Sequence, residues 1–124
     1  MTPQRRVIIA EDDVEMREML AVSLEQAGFC VDQASDGIEL ARLISGGRSP
    51  ALIICDIQMP RQNGLSALEQ LRRTSAASVP IVVISAYADD AAAQRIAALG
   101  NATLLRKPFA LSELRRLALQ LSGR

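Results

Sequence analysis

The sequence of 124 residues has no histidine and no tryptophan, and it contains two cysteines, one tyrosine and two phenylalanines. Because histidine is absent, the chain cannot form a Ser-His-Asp or Cys-His catalytic site, an imidazole proton shuttle or a His-ligated zinc site. Two cysteines are too few for a disulfide framework or for a zinc site with four thiolates. The scarcity of aromatic side chains also argues against a stacking surface for single-stranded nucleic acid.

The chain has no excess of charge of either sign and no long apolar run. Its 14 Lys and Arg residues balance 14 Asp and Glu residues, which argues against direct binding to nucleic acid or to an anionic membrane. No apolar run approaches the length of a membrane span, and the start of the chain has too few apolar residues for a signal peptide. We therefore expect a cytoplasmic single domain over residues 1–124 with no membrane partner.

Short apolar runs alternate with longer stretches of helical spacing along the whole chain. Each run is followed by a helical pattern, and glycines such as Gly28 and Gly100 stand where helices are expected to end. Asp36, with Glu39 three residues later, predicts a capping box at the start of the second helix. The strand-like runs begin at Val7, Phe29, Leu52, Ile81 and Thr103.

Five strand–helix pairs with short connections predict an α/β fold, a (βα)5 doubly wound, five-stranded parallel sheet with helices on both faces. The flavodoxin-like strand order 2-1-3-4-5 places strands 1 and 3 side by side where the winding reverses. We prefer it to a dinucleotide-binding half-domain, because no Gly-x-Gly-x-x-Gly follows the first strand. In this order strand 1 separates Cys30 from Cys55, which excludes a disulfide, and we expect both to be small core residues.

Charged and hydroxyl side chains follow four of the five predicted strands. The segment Glu11–Asp13 follows strand 1, Asp56 follows strand 3, Ser85 follows strand 4 and Lys107 follows strand 5. Because ligands of such sheets bind beyond the carboxyl ends of the strands, we expect these side chains to share one cleft. Carboxylates so close together repel each other unless a cation is present, and a set of oxygen ligands suits Mg²⁺.

These residues describe a site for phosphoryl transfer. Asp56 is the expected carboxylate nucleophile, while the metal, the Lys107 ammonium and the Ser85 hydroxyl neutralise the oxygens of the transferred group. Each residue also has an ordinary structural explanation, since acids before a helix are usually caps and a single Ser or Lys is usually a turn or surface residue. Their convergence at one edge of the sheet favours the functional interpretation.

Over essentially its whole length, the chain resembles the receiver domain of two-component response regulators. The resemblance rests on four motifs, which are Ile8–Asp13, Asp56–Pro60 followed by Gly64, Ile84–Ala86 and Lys107–Phe109. It implies a signalling domain, not an enzyme, that phosphorylates and dephosphorylates itself and has no output domain in this chain. The implied phosphoryl donor is a phosphohistidine on a sensor histidine kinase or a histidine phosphotransfer protein.

The resemblance also implies a role for each site residue. Asp56 accepts the phosphoryl group, Lys107 contacts it, and Ser85 takes the place of the switch hydroxyl. Glu11 and Asp12 hold Mg²⁺ together with Asp56, and the main-chain carbonyl of Gln58 completes the protein ligands. A cis peptide bond is implied before Pro108, between it and Lys107.

Three acids compete for the two places of the acidic pair. Counting back from Met16-Arg17 favours Glu11 and Asp12 over Asp12 and Asp13, and Asp13 is then expected to help cap the first helix. Leu104 stands where receivers often carry Tyr or Phe, so we expect switching to rely on Ser85 and the loop after strand 4.

Two other functions compete with the receiver interpretation. A Mg²⁺-dependent phosphatase that forms an aspartyl phosphate commonly has a second Asp two residues after the nucleophile, where this chain has Gln58. A degenerate, non-phosphorylated interaction module is disfavoured because Asp12, Asp56, Ser85 and Lys107 are all present. The effector, whether covalently linked or separate, and a homodimer formed through the fourth helix, fifth strand and fifth helix stay open.

Overall fold

The structure, a computed structural model, describes residues 4–58, 64–74 and 78–123. Strands and helices alternate strictly along the described chain. The strands are β1 (Arg6–Ala10), β2 (Cys30–Ala34), β3 (Leu52–Asp56), β4 (Ile81–Ser85) and β5 (Ala102–Arg106). The helices are α1 (Val14–Gln26), α2 (Gly37–Ser45), α3 (Gly64–Thr74), α4 (Asp90–Leu99) and α5 (Leu111–Ser122).

All strand pairs are parallel, and the sheet has the order β2-β1-β3-β4-β5, which confirms the predicted topology. In the register, Ala10 of β1 lies opposite Cys55 of β3, and Asp56 lies opposite Ile84 of β4. The carboxyl ends of the three central strands therefore reach the same edge of the sheet. In the part of the chain that the structure describes, no helix is both long and apolar enough to cross a membrane.

The three central strands, β1, β3 and β4, are buried along their whole length, as expected for strands covered by helices on both faces. Alternate side chains point to opposite faces, so Ile8 and Ile53 pack with α2, α3 and α4, whereas Ile9 and Ile54 pack with α1 and α5. Burying each large aliphatic side chain contributes roughly 1.5–3 kcal/mol. The two apolar layers thus hold the sheet rigidly between its helices.

The ends of the helices follow the predicted signals with one change. Gly28 after α1 and Gly100 after α4 have φ angles of +102° and +68°, which side chains with a Cβ rarely adopt. Asp36 accepts a hydrogen bond from the Glu39 main-chain N–H at 2.9 Å, as predicted for the start of α2. The Glu39 carboxylate, however, accepts from the N–H and hydroxyl of Ser35, one residue before the cap, and these bonds keep the pKa of Glu39 below its usual value.

The two cysteines differ in their surroundings, and the prediction that both are core residues is wrong for Cys30. Cys30 is the first residue of β2 and is exposed. β2 is an edge strand, and most of its side chains are only partly buried or exposed. Cys55 lies in the central strand β3 and is buried, and burial raises the pKa of its thiol above the usual range. Both are free thiols, in agreement with the predicted lack of a disulfide.

A buried arginine joins the sheet to α2 at the edge opposite the predicted site. The Arg6 guanidinium forms an ion pair with Asp32 at 2.7 Å and donates to the main-chain carbonyls of Leu43, Gly46 and Arg48. Arg6 itself is only 7% exposed. Because these carbonyls lie at the end of α2 and in the loop to β3, one side chain joins β1 to both.

Replacing this arginine is expected to destabilise the fold strongly. Arg6→Met removes every donor at once, so the free energy of unfolding should fall by about 3 kcal/mol in urea denaturation, because one ion pair and three hydrogen bonds to main-chain carbonyls are lost together. The matched control is Arg95→Met, which removes an exposed bidentate ion pair with Glu69 at 2.6 and 2.9 Å. That variant should lose about 0.5 kcal/mol or less. Equal losses in the two variants would contradict this account of Arg6.

Candidate functional site

Four strands deliver polar side chains to one edge of the sheet. Glu11 directly follows β1 and Lys107 directly follows β5, while Asp56 and Ser85 are the last residues of β3 and β4. Main-chain hydrogen bonds continue the sheet to its edge, since the Glu11 N–H donates to the Ala34 carbonyl and the Lys107 N–H donates to the Ser85 carbonyl. The backbone positions of these residues are therefore fixed by strand pairing.

The Lys107 ammonium lies between two buried carboxylates. Its Nζ is 2.7 Å from Asp56 Oδ2 and 3.1 Å from Glu11 Oε1. The Lys107 side chain is 23% exposed, whereas the side chains of Asp56 and Glu11 are 4% and 1% exposed. Burial lowers the pKa of Lys107, but the contacts with Asp56 and Glu11 outweigh it and raise this pKa above its usual value. The lysine therefore keeps its positive charge at the site.

Glu11 is a buried acid whose pKa is raised. Burial, and after it the neighbouring Asp56 charge, raise the pKa of Glu11 from 4.5 to about 7, although the Asp13 N–H and Lys107 oppose this rise. Its Oε2 accepts from the Asp13 N–H at 3.2 Å. Among the described residues, its Oε1 has no hydrogen-bond donor of normal geometry, even though the Lys107 ammonium is close. One buried carboxylate oxygen thus faces the cleft without a full partner.

The structure groups two of the three consecutive acids with Asp56. Glu11, Asp12 and Asp56 each offer a carboxylate oxygen, and these oxygens lie within 4.8 Å of one another. Asp13 instead accepts from the Met16 N–H at 3.1 Å and caps α1, as predicted. Three carboxylates facing one lysine leave an excess of negative charge, and oxygen ligands of this kind fit a hard divalent cation such as Mg²⁺.

Gln58 lies beside Asp56 and connects two loops. Its main-chain N–H donates to Asp56 Oδ1 at 2.8 Å, and its side-chain Oε1 accepts from the Ala86 N–H at 3.3 Å. Both oxygens of Asp56 therefore have a donor, with Lys107 on Oδ2. The metal-ligand role of the Gln58 carbonyl stays a prediction, and the predicted motif residues Met59 and Pro60 lie outside the described residues.

Ser85 lies at the same edge, but its hydroxyl is turned to its own loop. The Ser85 Oγ donates to the Tyr87 carbonyl and accepts from the Tyr87 N–H at 3.1 Å. Ser85 is completely buried, whereas the Tyr87 side chain is 68% exposed.

Leu104 is partly buried and packs with the cluster that contains α3 and α4. The predicted cis peptide bond between Lys107 and Pro108 is present.

One contact at this edge goes beyond the sequence prediction. From the sequence, Arg17 is only a reference position for assigning the acidic pair. In the structure, its Nη1 donates to the Glu11 main-chain carbonyl at 2.8 Å. Its Nε donates to Gln33 Oε1 at 3.2 Å. The position of Arg17 one turn into α1, directly after the acidic loop, is the signal that the sequence offers for this contact.

Glu11→Gln is expected to stabilise the metal-free protein at alkaline pH. Since the pKa of Glu11 is about 7 in the folded protein and near 4.5 when unperturbed, the native state binds the proton more tightly than the unfolded chain. Stability is therefore lost as the pH rises from about 4.5 to about 7, and glutamine, which does not ionise, avoids this loss. The gain in unfolding free energy at about pH 8 should be on the order of 2–3 kcal/mol.

The measurement for this prediction is urea unfolding in a metal chelator between about pH 4 and pH 8. The matched control is Glu18→Gln on the exposed face of α1, which should show no gain that grows with pH. A stabilisation by Glu11→Gln of the same size at both ends of the pH range would show that the effect does not come from ionisation.

Comparison with known protein sequences places the chain in a family. The family model described as the response regulator receiver domain matches residues 7–119. The response regulator MprA of Mycobacterium sp. (strain KMS) is 40% identical over 111 residues, as is MprA of Mycobacterium avium (strain 104). The match covers 88% of this chain but 46% and 47% of those two proteins, so the chain spans about half the length of the curated relatives it matches.

Solved structures agree with this result. The receiver domain of the Francisella response regulator 1452 superimposes with a TM-score of 0.86 at 27% identity, covering 98% of both chains. The Vibrio cholerae chemotaxis protein CheY4 superimposes with a TM-score of 0.87 at 26% identity, covering 96% of this chain and 99% of that chain. Proteins of this kind are signalling domains and not enzymes in the usual sense. The chain belongs to the receiver domain family of two-component response regulators.

Proposed function

We propose that this domain accepts a phosphoryl group on Asp56 from a phosphohistidine of a sensor histidine kinase or a histidine phosphotransfer protein. The reaction depends on Mg²⁺, and the resulting conformational change regulates an effector in the cytoplasm. The observation that carries this proposal is the environment of Asp56. Its Oδ2 lies 2.7 Å from the Lys107 ammonium, and its Oδ1 accepts from the Gln58 N–H at 2.8 Å. The carboxylates of Glu11 and Asp12 lie beside it.

The position of Asp56 supports its proposed role as the nucleophile. It ends a buried strand, and its carboxylate lies at the mouth of the acidic cleft, held by donors on both oxygens. One of these oxygens attacks the phosphorus, the phosphorus–nitrogen bond of the phosphohistidine breaks, and its electron pair stays on the partner's imidazole. An ionised carboxylate has no proton to lose, so the absence of histidine from this chain is no obstacle.

Lys107 and the acidic cluster balance charge around the transferred group. Lys107 now contacts two carboxylates. Its ammonium would need little displacement to reach the phosphoryl oxygens, since it already contacts Asp56. Glu11, Asp12 and Asp56 would hold Mg²⁺, with the Gln58 carbonyl as a further ligand. When bound, the ion neutralises developing charge on the phosphoryl oxygens. The excess of carboxylates over ammonium groups supports this assignment.

Ser85 is the proposed switch. Its hydroxyl is bonded to the main chain of Tyr87, so it must leave the Tyr87 carbonyl before it can donate to a phosphoryl group on Asp56. Such a change would pull on the loop between β4 and α4, which also contacts Gln58 through the Ala86 N–H. With Leu104 in place of an aromatic ring, this loop is the proposed route from the site to α4.

Phosphorylation with a small donor tests the proposed function. Incubation with acetyl phosphate and Mg²⁺ should add the mass of one phosphoryl group to the protein, and Asp56→Asn should abolish the adduct. Asp13→Asn is the matched control, because asparagine still caps α1 and the adduct should form. Rapid turnover of a small phosphomonoester would instead support a phosphatase, and no adduct on the unaltered protein would support a degenerate interaction module.

A second prediction separates the two alignments of the acidic pair. Asp12→Asn should weaken Mg²⁺ binding on the order of tenfold or more, because it removes a charged oxygen from the cluster. Asp13→Asn should change the Mg²⁺ dissociation constant less than about twofold, since its side chain caps α1. The constants are measured by following main-chain amide signals during an NMR titration. Equal weakening by both variants would favour Asp12 and Asp13 as the pair.

A further inference from the structure

An arginine next to the acidic cluster binds a main-chain carbonyl and not a carboxylate. Arg17 lies one turn into α1, and its guanidinium donates to the Glu11 carbonyl at 2.8 Å and to the Gln33 side chain at 3.2 Å. Among the described residues it forms no ion pair within 4.0 Å, although Glu11 and Asp12 directly precede its helix. Its contact is therefore with the backbone of the acidic loop.

This hydrogen bond fixes the peptide that joins the two acids. The Glu11 carbonyl belongs to the Glu11–Asp12 peptide, so the donor on it sets the plane of that peptide and the direction in which Asp12 leaves the strand. On the other side of Glu11, the N–H donates to the Ala34 carbonyl at 3.0 Å. Glu11 is thereby held on both sides, whereas the exposed Asp12 side chain is not held by packing.

Gln33 keeps the guanidinium in place. Gln33 is in the edge strand β2, opposite Ile9 of β1, and its side chain accepts from Arg17 Nε while Nη1 reaches the Glu11 carbonyl. A planar guanidinium with two separate donors in use has less rotational freedom than a single contact would leave it. The contact thus connects α1, β2 and the acidic loop through one side chain.

We propose that Arg17 is a positioning residue, which orients Glu11 and Asp12 for binding a divalent cation through its hydrogen bond to the Glu11 carbonyl. This inference rests on the proposed function, in which Glu11, Asp12 and Asp56 hold Mg²⁺. Arg17 contacts neither the ion nor the phosphoryl group, and its effect passes through the backbone.

The charge of Arg17 provides a sharp test, because a pure charge effect and a positioning effect predict opposite changes in Mg²⁺ affinity when Arg17 is removed. A nearby positive charge repels Mg²⁺, so if charge alone mattered, removing Arg17 would tighten Mg²⁺ binding. If Arg17 orients the acidic pair, removing it weakens binding in spite of the lost repulsion. Arg17→Met retains an unbranched apolar stem and removes both the charge and the donors.

We expect Arg17→Met to raise the Mg²⁺ dissociation constant on the order of tenfold, as is typical when an outer-shell partner of a metal site is lost. The constant is measured by NMR titration of the Asp12 and Asp13 amide signals. Arg115→Met is the matched control, since it also removes one positive charge, together with the hydrogen bond from Arg115 Nη1 on α5 to Ser23 Oγ on α1 at 2.8 Å. Its dissociation constant should stay within about twofold of the unaltered protein.

A metal-free readout separates failure of this inference from failure of the proposed function. In chelator, Arg17→Met should speed amide hydrogen exchange at Asp13, whose N–H is bonded to Glu11 Oε2, and the Arg115→Met control should not. Unchanged exchange, or Mg²⁺ binding that is unchanged or tighter, would overturn the role of Arg17. If the unaltered protein binds no Mg²⁺, the proposed metal site is wrong, and faster exchange would then show that Arg17 orders the loop for another purpose.

Discussion

The site depends on the contact of one ammonium group with two buried carboxylates. Lys107 pairs with Asp56 and Glu11, and the third acid of the cluster, Asp12, adds negative charge at the exposed side. Burial and, after it, repulsion by Asp56 raise the pKa of Glu11, and Lys107 opposes this rise only in part. The cleft is therefore electrostatically unsatisfied, as is appropriate for a place where a cation and a phosphoryl group are proposed to bind.

The parallel sheet brings these charged residues together and holds them in place. All strands point the same way, so their carboxyl ends bring residues distant in sequence to one edge, and two apolar layers fix the strands that carry them. The amino ends of the strands differ from this site. There the buried Arg6 forms an ion pair with Asp32 and donates to several main-chain carbonyls. Among the described residues, the one buried side-chain oxygen without a hydrogen-bond partner belongs to Glu11, at the end of the sheet where the site lies.

The sequence predicts the fold and the grouping of the site residues well. The β-branched runs are strong strand signals, and the strand order then determines which strand ends are neighbours. Counting back from Met16-Arg17 separates Asp13 from Glu11 and Asp12, and the structure confirms the resulting prediction that Asp13 caps α1. The roles of Asp56, Lys107, Ser85 and the metal ligands stay predictions, since proximity alone does not show chemistry.

What the sequence could not predict depends on local geometry. The exposure of Cys30 follows from its place at the start of the edge strand β2, and the turn of Ser85 toward Tyr87 follows from loop conformation. Glu39 reaches Ser35 and not the capping residue, which spacing does not distinguish. Arg17 donates to a main-chain carbonyl, and its place one turn into α1 indicates only that it lies near the acidic loop, not which group it contacts.

The most direct test of the central claim is the pKa of the Glu11 carboxyl group, measured by NMR with and without Mg²⁺. In chelator the carboxyl signal should titrate at about 7, because burial and Asp56 favour the neutral acid. In saturating Mg²⁺ the same signal should titrate at or below the ordinary value of 4.5, because the ion stabilises the carboxylate. An ordinary pKa that Mg²⁺ does not change would contradict the proposal that this edge of the sheet is a charged cleft prepared for a divalent cation.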